Sequence, residues 1–213
     1  MINVIFSIDP TTAFLSSICA NLKKAGIELN IIEILPSIDS YAEAISSIQK
    51  LPKNSIILFL GHGQDNQLFG GESETFKKDT FIKDTDMNIF SEQLLFLLAC
   101  DSSDLLKRSF RLSKIKKSIG FSDLPTEMAE IEKDRKLNLY IKENSVIKFR
   151  ASIVSVISQA LIEFYKMETP DFIWLKDYLI LLINKKINQA VLEEKDNGLA
   201  DLLFNMKIGL KMF

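Results

Sequence analysis

Histidine occurs once in the 213 residues, as His62, and cysteine only twice, as Cys19 and Cys100. Two cysteines cannot build the disulfide framework of a small secreted protein, and a chain this long buries enough surface not to need one. A Cys/His zinc site takes four protein ligands, or three and a water, so it is equally hard to assemble here. The expectation is an intracellular, reduced, cytoplasmic protein with no metal site and no cofactor. An excess of charge is also missing: 26 Lys and Arg stand against 28 Asp and Glu, for a net charge of −2. Without a basic field to neutralise phosphates, nucleic acid is not an expected partner. Long apolar runs are lacking too. Pro10 to Leu22 is broken by Thr, Ser and Asn, and Ala151 to Ile162 by Ser and Gln. Both fall short of the roughly 18 apolar residues of a membrane span, so no membrane partner is expected. The N-terminal run Met-Ile-Asn-Val-Ile-Phe-Ser-Ile-Asp has no basic region before it and reads as a first strand, not a signal peptide.

What is present is an ordinary globular mixture, 47% apolar and 25% charged. Internal repeats, low-complexity tracts and Pro/Gly-rich linkers are not found, which predicts a single domain over 1–213. Asn3 to Ile8 is a predicted strand, followed by Asp9-Pro10 as N-cap and first-turn proline. Phe14, Leu15, Ile18, Cys19 and Leu22 then recur at helical spacing, and Gly26 closes the helix. Ile27 to Ile34 reads as a second strand. Ser40 and Glu43 form a capping-box pair for a helix that ends before Pro52. Ser55 to Leu60 and Leu94 to Ala99 are unbroken apolar runs of the kind buried on both faces of a parallel sheet. Between them, Gln64 to about Asn88 is a polar interval long enough to suggest a functional or mobile loop.

Further on, Ser102 or Ser103 is placed to cap a short helix, Ser118 to Phe121 is a brief fifth strand, and Thr126 to about Lys136 reads as helical. From about residue 144 the pattern is mainly helical, with a final apolar helix from about Asp171 to Glu193. Strands alternating with helices predict an α/β fold: a three-layer sandwich with a mainly parallel central sheet, helices on both faces, and C-terminal helices packed on its flank.

One constellation carries chemistry. His62 lies in Gly61-His62-Gly63, just past one buried strand, and Cys100 in Ala99-Cys100-Asp101, at the end of the next. In open α/β sheets, ligands bind beyond the carboxyl ends of the strands. A thiol needs a base to become the reactive thiolate, and imidazole is suited to that task near neutral pH. Gly63 allows close backbone approach, so its N–H and that of Cys100 can form an oxyanion hole. Taken singly, each residue has a plainer explanation as a packed thiol or a surface imidazole; their joint placement favours a site. Cys19 falls on the apolar face of the first helix and reads as core. Phosphate-loop and nucleophile-elbow motifs are not found. Lys114 to Lys117 reads as solvated surface, and Trp174 and Tyr178 as core.

With Gly61-His62-Gly63 followed 38 positions later by Ala99-Cys100-Asp101-Ser102, the chain resembles the caspase-like cysteine peptidases, in particular the bacterial CHAT group. Ser118 to Phe121 and Phe164-Tyr165 are compatible with that pattern, which spans roughly residues 55 to 166. The resemblance implies a caspase-like fold and a cysteine endopeptidase using a His62/Cys100 dyad. It would hydrolyse peptide bonds through a thioester, with Gly63 and Cys100 donating the oxyanion hole. Asp9 and Asp101 stand where such peptidases build the pocket for the residue before the scissile bond, which implies a lean toward Lys or Arg. The implied partners are a protein or peptide substrate and an activating protein. Two other readings stay open: a non-catalytic signalling or binding module of the same fold, and a Rossmann-like ligand sensor.

Overall fold

The computed structural model describes residues 1–133, 140–169 and 171–213. Its centre is a six-stranded sheet built from β1 (Ile2–Ser7), β2 (Leu29–Ile34), β3 (Ile56–Leu60), β7 (Leu94–Leu98), β8 (Lys117–Gly120) and β9 (Lys211–Met212). The spatial order is β2-β1-β3-β7-β8-β9, parallel except for the last strand, which runs antiparallel to β8. The segment between β3 and β7 folds into a second, antiparallel sheet of β4 (Gly63–Gln64), β5 (Gln67–Phe69) and β6 (Thr80–Lys83). The protein is thus an α/β three-layer sandwich, and the predicted strands stand in it within a residue or two of their expected ends.

Why the sheet is covered on both faces follows from the period-2 alternation of its strands. Val4, Phe6, Leu58, Leu60, Phe96 and Leu98 turn to one face. There they meet helices α1 (Ser16–Lys24), α5 (Glu143–Tyr165), α6 (Phe172–Gln189) and α7 (Asn197–Gly209). Ile5, Ile57, Phe59, Leu95 and Leu97 turn to the other, under α2 (Ile38–Gln49), α3 (Ser102–Ser113) and the 3-10 segment Asp84–Phe90. A short helix, α4 (Met128–Ile131), follows β8. Of the predicted helix over Thr126 to Lys136, the described residues form that single turn, and its last three positions lie outside the described residues.

Several sequence expectations are corrected. Asp9 does not cap a helix: after it the chain makes a turn and a 3-10 segment, Ala13–Leu15, before α1 begins at Ser16. The helix ends as expected. Gly26 adopts φ 80°, its N–H bonding the Lys23 carbonyl and that of Ile27 the Leu22 carbonyl, a Schellman closure. The α2 cap is Ser37, whose side chain accepts from the Ser40 N–H; Ser40 instead accepts from Leu35 through its hydroxyl. The interval from Gln64 to Asn88 is a loop only between Gly70 and Asp79; the rest forms the second sheet and a 3-10 segment. The C-terminus holds a further helix, α7, and the edge strand β9, neither of which was anticipated.

Helix α5 qualifies this picture in one respect. By length and composition it is apolar enough to cross a membrane, although the segment beginning at Ala151 looked too interrupted; 56% of its apolar window is buried within the fold, against α1, α6 and α7.

Phe96, 1% exposed, lies in β7 and meets Phe121 edge-on with ring centroids 5.7 Å apart. Phe96→Ala removes that contact and opens a cavity beneath the strand that carries Cys100. Its urea midpoint should fall by the equivalent of about 3–5 kcal/mol with m unchanged.

Candidate active site

Three chain segments reach the site, each leaving the carboxyl end of a parallel strand. Asp9, His62 and Cys100 each stand two residues past the last residue of β1, β3 and β7 respectively. The strands are neighbours in one register: Phe6 pairs with Leu60, and Leu60 with Leu98. The chain order also reverses here, since β1 leads to β2 on one side while β3 lies on the other. Such a switch point opens a crevice at the strand ends. Leu60 and Leu98 face the α1/α5 side, and a further step of two residues directs His62 and Cys100 to that same side.

Both residues do line one cavity, together with Phe14, Leu124, Thr126 and Ile153 among others. Its volume is about 30 Å³, room for about two waters. The imidazole is mostly buried, its side chain 13% exposed. Its Nε2 lies 2.7 Å from the Thr11 hydroxyl and 3.6 Å from Asp9 Oδ2. Asp9, 1% exposed in its side chain, accepts at Oδ1 from the Thr11 hydroxyl at 2.6 Å and from the Thr11 N–H at 2.7 Å. That second bond is an Asx-turn, and it is what the Asp9-Pro10-Thr11 triplet encodes in place of a helix cap.

Cys100 is held differently. Its thiol lies 3.5 Å from the Leu124 carbonyl, which can only accept, so the sulfur makes that contact as S–H. Among the described residues no hydrogen bond joins it to His62. The covering segment is fastened on several sides: Asp101 N–H to the Ser122 carbonyl, Ser122 N–H to the Gly209 carbonyl, and Arg150 Nε to the Thr126 carbonyl. The Arg150 guanidinium also lies 3.5 Å from Glu127 and 5.6 Å from the Phe14 ring centroid, joining α5 to two walls of the cavity.

Charge follows environment. Burial pushes the Cys100 thiol up to about 12, and nearby Glu130, Asp123 and Asp101 push the same way. Burial also lowers His62, assisted by Lys78 and opposed by Asp9, so the ring is neutral at neutral pH. Burial would raise Asp9, but its bonds from Thr11 and the nearby His62 outweigh that and hold the carboxyl below its usual range. The resting pair is therefore thiol and imidazole, not thiolate and imidazolium.

Gly63 sits hard against the backbone of Cys100. A Cβ there would come 2.7 Å from the Cys100 carbonyl oxygen and 3.0 Å from Ala99 Cβ, so the position requires glycine through close approach. The structure thus brings together His62, Gly63 and Cys100. Asp9 and Asp101 are not part of the cavity lining. Asp9 is engaged with Thr11. Asp101, at φ 52°, begins α3, and its carboxyl is raised by burial and by Asp104 and Asp65. Sequence reasoning missed Thr11, Leu124 and Arg150. Thr11 had a signal, since Asp-Pro-Thr is turn chemistry with an i to i+2 bond; the other two act through tertiary contact alone. Among the described residues no group of three or more His, Cys, Asp or Glu is placed to hold a metal ion.

Comparisons with protein-family models, curated proteins and solved structures return no match. The α/β sandwich and the cavity shared by His62 and Cys100 therefore stand on their own geometry.

The thiol's environment sets its reactivity. Only the thiolate alkylates, and a rise from 9.0 to about 12 cuts its fraction at pH 7.5 by roughly a thousandfold. Iodoacetamide should label Cys100 correspondingly more slowly than a free thiol. The rate, read by peptide mass mapping, should keep climbing with pH beyond 9 instead of levelling there.

Proposed function

We propose that this chain is a latent cysteine endopeptidase of caspase-like type, cytoplasmic, acting on protein or peptide substrates and released by a ligand or an activating partner. The observation that carries the reading is the delivery of the only imidazole and a thiol to one cavity, each two residues past the end of adjacent, in-register parallel strands. A packed core cysteine does not require a histidine beside it, and a surface histidine does not require a buried thiol.

In the released state, His62 takes the proton from Cys100 and the thiolate attacks the substrate carbonyl, forming the C–S bond. The N–H groups of Gly63 and Cys100 receive the developing oxyanion. The amine leaves with the proton held by His62, and water, deprotonated by the same ring, hydrolyses the thioester. Latency has two supports: a cavity too small for a substrate side chain, and a thiol protonated against Leu124. Moving the segment from Ser122 to Glu127 would enlarge the one and rehydrate the other, lowering the barrier to thiolate formation.

Those two features are also what a non-catalytic relative would show, so the deciding experiment loosens the clasp. Arg150→Ala removes the guanidinium that holds Thr126 and Glu127. Against a fluorogenic peptide library, Arg150→Ala should cleave faster than the wild type, and Arg150→Ala combined with Cys100→Ala should not cleave at all. Combining Arg150→Ala with Cys19→Ala should leave the gain intact. Failure of Arg150→Ala to hydrolyse any peptide, while its Cys100 becomes freely alkylated, would establish the binding-module reading instead.

A further inference from the structure

The Thr11 hydroxyl has one proton and two lone pairs, and its surroundings decide where each goes. Its oxygen lies 2.6 Å from Asp9 Oδ1 and 2.7 Å from His62 Nε2. The Asp9 carboxylate has no proton to offer, so the hydroxyl proton is donated to Oδ1. Only lone pairs then remain for the imidazole. His62 must therefore donate, and the hydrogen of the neutral ring resides on Nε2.

We propose that Asp9 and Thr11 are positioning residues that lock His62 as the Nε2–H tautomer, so that Nδ1 is its basic nitrogen. As an account of the base that takes the Cys100 proton, this rests on the reading of His62 given above; as an account of the ring's proton, it does not.

Two further observations point the same way. The carboxylate does not reach the ring directly, since 3.6 Å from Oδ2 to Nε2 exceeds a hydrogen bond; the hydroxyl is interposed between them. Oδ2 itself is buried and has no hydrogen-bond partner among the described residues. A buried carboxylate oxygen left unbonded costs free energy at rest, and a positive charge formed beside it offsets that cost. That charge appears on proton transfer: the S–H bond of Cys100 breaks, an Nδ1–H bond forms, and the resulting imidazolium carries positive charge at both nitrogens. Asp9 stays ionised throughout and stabilises that cation without accepting a proton. An acidic wall for a basic substrate is a poorer account of Asp9, because its side chain is 1% exposed and one of its oxygens is already taken by two donors.

A single histidine makes the test clean. The full chain, with ¹⁵N-labelled histidine, yields two ring nitrogen signals. Above the ring's titration, Nε2 should show the shift of a protonated nitrogen and Nδ1 that of a bare one. Thr11→Val is nearly isosteric and keeps the Thr11 N–H bond to Asp9, so the turn survives while the hydroxyl is lost. It should move both signals toward a tautomer mixture, whereas Thr11→Ser should restore the wild-type pattern. Asp9→Asn should lower the ring's titration midpoint, with Lys78 and Glu130, the other charges acting on His62, left in place.

A wild-type ring protonated at Nδ1 would overturn the proposal, and so would Thr11→Val that leaves both shifts unchanged. Once Cys100-dependent cleavage is seen in the Arg150→Ala background, Thr11→Val there should lower kcat by roughly 10²-fold, the lower end of what a placed base contributes. KM should change little, and Thr11→Ser should recover most of the loss. Absence of any cleavage, with the nitrogen shifts as expected, would sink the peptidase reading and leave the tautomer lock standing.

Discussion

Everything at the site depends on the register of three parallel strands. Phe6, Leu60 and Leu98 lie side by side, so the chain leaves β1, β3 and β7 at almost the same height. Side chains alternate along a strand with a period of two. A slip of one residue in either pairing would turn His62 or Cys100 from the α1/α5 face to the opposite one. The hydrophobic alternation forbids the slip, because it would also turn Leu58 and Leu60, both fully buried, against the wrong layer. Core packing and site geometry are thus one constraint. The apolar side chains that hold the sheet between its helical layers also decide which polar groups share a cavity.

Burial acts on the three polar residues in different ways. Asp9 is the most enclosed, yet its carboxyl is held below its ordinary range, because two donors from Thr11 and the nearby imidazole compensate for lost water. Among the described residues Cys100 has no such donors; it meets a carbonyl and is raised to about 12. His62 stands between them with a lowered affinity for protons. The arrangement stabilises a neutral thiol–imidazole pair at rest. An ion pair would require water or an oriented donor near the sulfur, which is what displacement of the segment under Arg150 would admit. Latency of the kind proposed would be an electrostatic state, set by the surroundings of the thiol.

Much of the fold was legible before any coordinates. β1, β3, β7 and β8 are apolar runs with clear ends, and the Gly26 closure follows from the residue type. The misread elements share a cause. β4 and β5 are two and three residues long, too short for alternation to register, and form only by pairing with each other and with β6. α7 contains Gly198 and is apolar around much of its surface, so it lacks the stripe that marks a helix in sequence. β9 is two residues held by Ile119 and Gly120. At Asp9 and Ser40 the residue types were read correctly as local hydrogen-bond acceptors but assigned to the wrong partners, since an Asx-turn, a helix cap and a loop contact draw on the same side chains.

By itself, the order of residues determined the layering of the protein and the placing of His62 and Cys100 just past two buried strands, because strand period and strand ends are local properties of the chain. The tertiary structure alone decided that those strands are neighbours in register, that Thr11 stands between Asp9 and His62, that Leu124 meets the thiol, and that Arg150 holds Thr126 at the cavity wall. Those are contacts between residues far apart in sequence or set by how a turn folds back, and they exist only once the sheet has chosen its order.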